Sequence, residues 1–216
     1  MEKISKQQLI MRQSMPLNLK IQYTLSRIRQ FYQYYNGNVY VSFSGGKDST
    51  VLLALARKMY PNINAVFIDT GLEFPEIRNF IKSIDNVTWL KPKIPFNKVI
   101  EKYGFPVISK EVSQQIFEIR NTKSFDLKNK RLYGDCNGNG KLSNKWKYLI
   151  DSPFKISSKC CDVMKKAPIK IYEEKTGRKP IIGTMAVESN LRKMNYLKNG
   201  CNTFEINRPK SLPISF

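Results

Sequence analysis

Histidine is absent from the 216 residues of this chain. That removes imidazole general bases, histidine partners for a nucleophile and histidine metal ligands. Chemistry must therefore rest on Cys, Lys, Asp, Glu, Ser or Tyr, or on a bound group. Long apolar runs are missing as well. No stretch reaches the ~18 residues that a membrane span needs, and the opening MEKISKQQLIMRQSM has no apolar signal core. The expectation is a cytoplasmic protein without a membrane partner. Acidic residues are scarce: 17 Asp and Glu face 37 Lys and Arg, a net charge of +20. Such an excess suits a lysine-rich solvated surface or a polyanionic ligand, either nucleotide phosphates or nucleic acid. The basic residues run along the whole chain, densest at 120–147 and 165–179, which weakens the case for one dedicated nucleic-acid arm.

What is present is a regular alternation. Residues 5–36 carry apolar positions at helical spacing (Leu9, Ile10, Ile21, Leu25, Ile28, Phe31, Tyr32, Tyr35), broken at Pro16 and ended by Asn36-Gly37. Then follow a strand (NVYVSF), an apolar-faced helix (KDSTVLLALARKMY), a strand (INAVFID), a helix (FPEIRNFIKSI) and a third strand (NVTWLKP). This rhythm predicts a doubly wound α/β fold with a mostly parallel sheet and helices on both faces. Two helical pieces fill 94–121 around YGFPVISK, and regularity fails at 122–159. The organisation expected is an N-terminal helical segment, 1–37, and an α/β domain, 38–216, with a basic insertion at about 122–159. CCDVMKKAPIKIYEEKTG reads as a helix capped by Gly177, KPIIGTM as a strand, 186–200 as helical or turn-rich, and the final NRPKSLPISF as extended.

The stretch VSFSGGKDST, residues 41–50, carries the chemistry. A strand running through Gly45-Gly46 into a helix gathers backbone N–H groups and a helix N-terminus at one point, which is an anion site. Lys47 adds charge, and Ser44, Ser49 and Thr50 add hydroxyls. The spacing fits neither the Walker loop nor the dinucleotide fingerprint. Ser44-Gly45-Gly46-Lys47-Asp48-Ser49 instead resembles the pyrophosphate loop, Ser-Gly-Gly-x-Asp-Ser, of the adenine nucleotide alpha-hydrolase superfamily, whose fold is Rossmann-like.

Three further blocks resemble one family within it, the phosphoadenylyl-sulfate (PAPS) reductases. FIDTGLEFPE, residues 67–76, lies at a strand's C-terminal end, where open α/β sheets bind ligands. GTMAVESNLRK, residues 183–193, is similar to that family's Gly-x-x-x-x-Glu-Ser-x-x-Arg block. CCDVMKKAP, residues 160–168, is similar to the Cys-Cys-x-x-Arg-Lys-x-x-Pro block of iron–sulfur adenylyl-sulfate reductases, with Met164 in place of arginine. The resemblance implies nucleotide binding by Ser42, Ser44, Gly45, Gly46, Lys47, Asp48, Ser49, Asp69, Thr70, Gly71, Phe74, Gly183, Glu188 and Arg192. It implies catalytic roles for Lys47, Asp48 and Lys165, with Arg192 and Lys165 meeting the sulfate end.

Cys136, Cys160, Cys161 and Cys201 are more readily metal ligands or redox groups than a disulfide framework in a cytosolic chain. The resemblance implies a [4Fe–4S] cluster on Cys160, Cys161 and Cys201, and Cys136, folding back from its loop, is the candidate for the missing fourth ligand. The family's later Cys-x-x-Cys is incomplete here, and a zinc site or simply packed thiols remain open. The reductases also use a C-terminal cysteine nucleophile, and none follows Cys201. The expectation is therefore a chain short at its C-terminus, with that nucleophile lost, supplied by another subunit or unneeded.

The function expected is a PAPS reductase-like enzyme acting on the sulfur group of an adenine sulfonucleotide, with a thiol reductant such as thioredoxin as partner. The alternatives are ATP-dependent thiolation of tRNA or DNA, with magnesium beside the ATP, or a nucleotide-binding module without turnover. Between Lys123 and Lys147 only Phe125, Tyr133 and Trp146 are seen as able to stack on bases, which favours the sulfonucleotide.

Overall fold

Val39, Tyr40 and Val41 are all buried, as are Ala65, Val66 and Phe67. Strands apolar at successive positions suit a sheet covered on both faces. The computed structural model describes residues 3–204 and 207–216, and these fall into two compact units.

The first unit comprises residues 1–69, 73–90 and 171–216. It opens with helices α1 (Lys6–Ser14) and α2 (Leu17–Tyr34), separated at Pro16 as the sequence indicates. Ser5 starts α1 with a capping box, its hydroxyl accepting from the Gln8 amide while the Gln8 side chain accepts from the Ser5 amide. Strand β1 (Val39–Ser42), helix α3 (Lys47–Met59), strand β2 (Ala65–Ile68), helix α4 (Pro75–Lys82) and strand β3 (Val87–Leu90) follow in the expected order. The chain returns to this unit at residue 171, within helix α8 (Ala167–Thr176), and continues through strand β4 (Lys179–Ile182), helix α9 (Asn190–Asn199) and two-residue strands β5 (Asn202–Thr203) and β6 (Lys210–Ser211).

The sheet order is β3-β2-β1-β4-β6-β5, parallel throughout except for β5 against β6. Helices flank it, so the fold is the α/β, Rossmann-like arrangement that the sequence predicts. Successive strands step outward from β1 to β3, and the chain then re-enters on the other side of β1 as β4. That reversal is a topological switch point, and the crevice at the strands' C-terminal ends is where such sheets take ligands. Ile28 and Phe31 of α2, Leu52, Leu53 and Ala56 of α3 and Ile81 of α4 pack with Val39, Val41, Ala65, Phe67 and Ile181 of the strands.

The second unit comprises residues 70–72 and 91–170. It contains α5 (Phe96–Tyr103), α6 (Lys110–Asn121), α7 (Phe125–Tyr133), a 3₁₀ segment (Asn144–Asp151) and a π-helical turn (Asp162–Lys166). Its core is Ile116, Ile119, Leu142, Leu149 and Ile156. The stretch 122–159 is thus far less irregular than the sequence suggests. Arg120 explains much of this, donating at 2.7–2.9 Å to the carbonyls of Leu149, Ile150, Ser152 and Phe154. The Asp135 carboxylate accepts from the amides of Asn137 and Asn139, closing the glycine-asparagine turn. Among the described residues no helix is long and apolar enough to cross a membrane.

Candidate functional site

Ser42, half-buried, ends β1 between Val66 of β2 and Ile182 of β4. The chain then turns through Phe43–Gly46 into α3. Gly45 has φ +75°, and a Cβ there would come within 2.8 Å of Ile77 Cγ2 on α4. Only glycine meets both demands, conformation and clearance. Gly46, the N-cap of α3, has φ −77°, and a Cβ on it would meet only the Ser44 hydroxyl, at 3.4 Å.

Ser49 ties the loop together. Its buried hydroxyl donates to the Gly46 carbonyl at 2.9 Å, accepts from the Ser44 amide at 3.2 Å and lies 3.1 Å from Ser44 Oγ. Thr50 Oγ1 also donates to the Gly46 carbonyl, at 2.9 Å. These bonds leave Ser44, Gly46 and Lys47 exposed at a helix start that no side chain caps. The first amides of a helix have no acceptor within it, and its N-terminus carries partial positive charge. With the Lys47 ammonium adjacent, the arrangement suits an anion with several oxygens.

Gly183, directly after β4, closes in from the other side of the switch point. A Cβ there would lie 3.1 Å from the Asp48 carbonyl oxygen, so this turn passes the first turn of α3 backbone to backbone. Half-buried Asp48 is in the first turn of α3, where a carboxylate complements the helix dipole.

Other expected residues are occupied by protein partners. Asp69 is buried after β2 and accepts from Arg78 of α4 at 2.8 Å. Arg78 escapes a reading by motif; its place a turn inside the helix after an acidic strand end is the signal that was available. Phe74 is 72% exposed at the N-cap of α4. Glu188 accepts from the Met185 amide and is ion-paired with Arg192, and the two bonds hold its carboxyl below the usual range. Ser189 caps α9 by accepting from the Arg192 amide.

Thr70, Gly71 and Lys165 belong to the second unit. Thr70 is buried with its hydroxyl accepting from the Leu72 amide, Gly71 turns at φ +81°, and Lys165 is exposed on the π-helical turn. A π-helical turn at CCDVMKK is a geometry that often accompanies function.

The metal expectation is overturned. Among the described residues, which include all four cysteines, no group of three or more Cys, Asp or Glu is assembled that could hold a metal ion. Cys136 is exposed, Cys160 and Cys161 are half-buried, and Cys201 is buried; all four are free. Cys201 packs among Ile4, Leu9, Ala186, Tyr196 and Phe216, and burial pushes its thiol up. Burial and the neighbouring Cys161 thiol push Cys160 up too. The residues fit neither a [4Fe–4S] cluster nor zinc, and they build no cage for magnesium.

Residues 38–123 match the phosphoadenosine phosphosulfate reductase domain family. The chain is 36% identical over 118 residues to an uncharacterized protein of Methanocaldococcus jannaschii, covering 51% of this chain and 28% of that one. It is 30% identical over 101 residues to an adenosine 5'-phosphosulfate reductase of Staphylococcus epidermidis, covering 44% of this chain and 41% of the reductase. Against a phosphoadenosine 5'-phosphosulfate reductase of Buchnera aphidicola it is 48% identical over 54 residues, 25% of this chain and 22% of that one. The chain thus spans less than half the length of these curated relatives. The stretch matched by the family runs from β1 through α6 and contains the Gly45-Gly46 loop and the Asp69 edge, so it is in this part, on the pyrophosphate-loop fold, that the chain is linked to the PAPS and adenylyl-sulfate reductase family.

Proposed function

We propose that this chain is a PAPS reductase-like enzyme that binds an adenine nucleotide or sulfonucleotide through residues 44–49 and reduces or transfers its sulfur group. The observation that carries the reading is the uncapped, exposed start of α3 at the β1/β4 switch point, braced from beneath by Ser49. In this reading Ser44, Gly46 and Lys47 meet phosphate oxygens, and Lys47 and Asp48 carry the polar chemistry beside them. Asp69 acts through Arg78 by fixing α4 under the loop. Arg192 meets the sulfate end by exchanging Glu188 for the ligand. Electrons for a reduction come from a thiol donor of the thioredoxin kind.

A second reading, ATP-dependent thiolation of nucleic acid, draws on the second unit. Residues 91–170 hold 18 Lys and Arg against 7 Asp and Glu. Helix α7 buries none of its residues and leaves Phe125 and Tyr133 exposed, with Tyr148 exposed nearby in sequence. Exposed rings among cations are the composition of a single-strand platform.

Product analysis separates the two. The protein is incubated with adenylyl sulfate, PAPS or ATP, with a dithiol donor, and with or without tRNA and DNA. Sulfite released from a sulfonucleotide is the expected result. Pyrophosphate released from ATP only when nucleic acid is added overturns the first reading in favour of the second. Nucleotide binding with neither product leaves a module without turnover and overturns both.

A further inference from the structure

Away from the Gly45-Gly46 loop, the first unit holds a cavity of about 230 Å³ lined by Arg12, Tyr23, Arg27, Gln30 and Cys201 together with the backbone turn at Gly200. Its position follows from the sheet. β5 runs antiparallel to β6, so the chain entering β5 lies at the same end as the C-termini of the parallel strands. β5 is three strands from β1, or about 14 Å along that edge at ~4.8 Å per strand.

Two guanidinium groups lie over a single ring there, Arg12 at 5.0 Å and Arg27 at 4.6 Å from the Tyr23 centroid. Among the described residues neither is ion-paired with a carboxylate. Arg12 donates to the Tyr196 hydroxyl at 2.8 Å, and Arg27 donates to Gln30 at 3.2 Å. Among the described residues Arg27 Nε, shielded from solvent, has no hydrogen-bond partner. The neighbours hold this geometry: Asn202 Nδ2 donates to the Arg27 carbonyl at 3.0 Å and to the Gln30 side chain at 3.3 Å.

Two cations gathered on one ring repel each other, and a buried N–H without an acceptor is costly. A ligand with two or more negative oxygens in the cavity relieves the repulsion, because a guanidinium presents its N–H groups as a fork that matches a planar or tetrahedral oxyanion. The volume limits the ligand further. It lies below the ~300 Å³ at which pockets for drug-sized molecules begin, and corresponds to roughly eight waters at ~30 Å³ each.

We propose that the Arg12–Tyr23–Arg27 cavity is a second oxyanion site, separate from residues 44–49, that takes free phosphate or sulfate or a compact phosphate ester. This goes beyond the nucleotide reading and stands without it.

The test is calorimetric titration with inorganic phosphate, sulfate and ribose 5-phosphate at constant ionic strength. It uses wild type, Arg27→Gln, Arg27→Lys and the loop variant Gly46→Asp. Arg27→Gln is expected to weaken phosphate at least tenfold, Arg27→Lys less, and Gly46→Asp to leave binding at this cavity in place. Tighter binding of the ester identifies an esterified ligand, and equal binding identifies the free ion; either supports the site. Wild-type phosphate affinity in Arg27→Gln, or loss of all phosphate binding in Gly46→Asp, overturns it. Should Arg27→Gln fail to fold, the Arg27 Nε–H resonance of wild type decides. A shift on adding phosphate supports the site, and an unmoved resonance at saturation contradicts it.

Discussion

Gly45 and Gly46 are neighbours in sequence and do different work. Gly45 is required by the fold, since its φ of +75° and its contact with Ile77 both exclude a side chain. Gly45→Ala should cost about 2 kcal/mol from left-handed backbone strain plus overpacking, read as a lowered Tm. Gly46 is free of both constraints, so Gly46→Asp should fold with unchanged or slightly raised Tm, because aspartate is a good N-cap. The cysteines divide in the same manner. A thiol reagent under native conditions should modify Cys136 first, Cys160 and Cys161 more slowly, and Cys201 only on unfolding. Rapid native modification of Cys201 would contradict its place in the apolar cluster. The family resemblance alone implies Cys201 as a cluster ligand; the direction its side chain takes, toward Ile4 and Phe216, has no signature in a local motif.

At the scale of elements, the run from β1 to β3 was legible because each strand is a short apolar stretch and each helix between them is amphipathic. Leu52 and Ala56 of α3 are fully buried while Val51 is 54% exposed, the one-sided pattern that marks a helix against a sheet. Leu52→Ala should lower stability by about 2–5 kcal/mol in chemical denaturation. β5 was illegible as a strand and β6 legible only as part of an extended tail, since two residues carry no periodicity and their pairing joins Asn202 to Ser211 across a loop. Helix α7 was missed for a different reason: it has no fully buried residue, and it is held by Leu132 packing against the unit's core and by the Arg131–Glu118 ion pair to α6. Burial alone would raise the Glu118 carboxyl, but hydrogen bonds from Gln114 and Arg131 outweigh it and hold the group below its ordinary range. The stabilisation this gives is full above the ordinary carboxylate range and is lost as pH falls through the depressed value. Glu118→Gln should therefore lower Tm at pH 7 and flatten its decline in acid. A parallel downward shift of Tm at every pH would contradict this.

For the whole molecule, the question is whether +20 of charge serves a nucleotide or a polymer. Affinity for single-stranded nucleic acid should fall with a log–log salt slope of about −0.7 for each phosphate neutralised, and for duplex about −0.9. A small sulfonucleotide releases few counterions, so its slope should be shallow. Fluorescence polarisation with tRNA and with duplex DNA across a salt series, beside nucleotide, measures both. Steep slopes with tight polymer binding at physiological salt, and no sulfonucleotide binding, would move thiolation ahead. The central claim is narrower: the uncapped start of α3 holds the phosphates of an adenine nucleotide. Calorimetric titration of ATP and adenylyl sulfate into wild type and Gly46→Asp tests it most directly, because the substitution places a carboxylate at the phosphate position without disturbing the fold. The account predicts binding by wild type and a loss of at least ~2 kcal/mol, about thirtyfold, in the variant, from a like charge brought against the phosphates. Equal affinity of the two proteins for both nucleotides would contradict it.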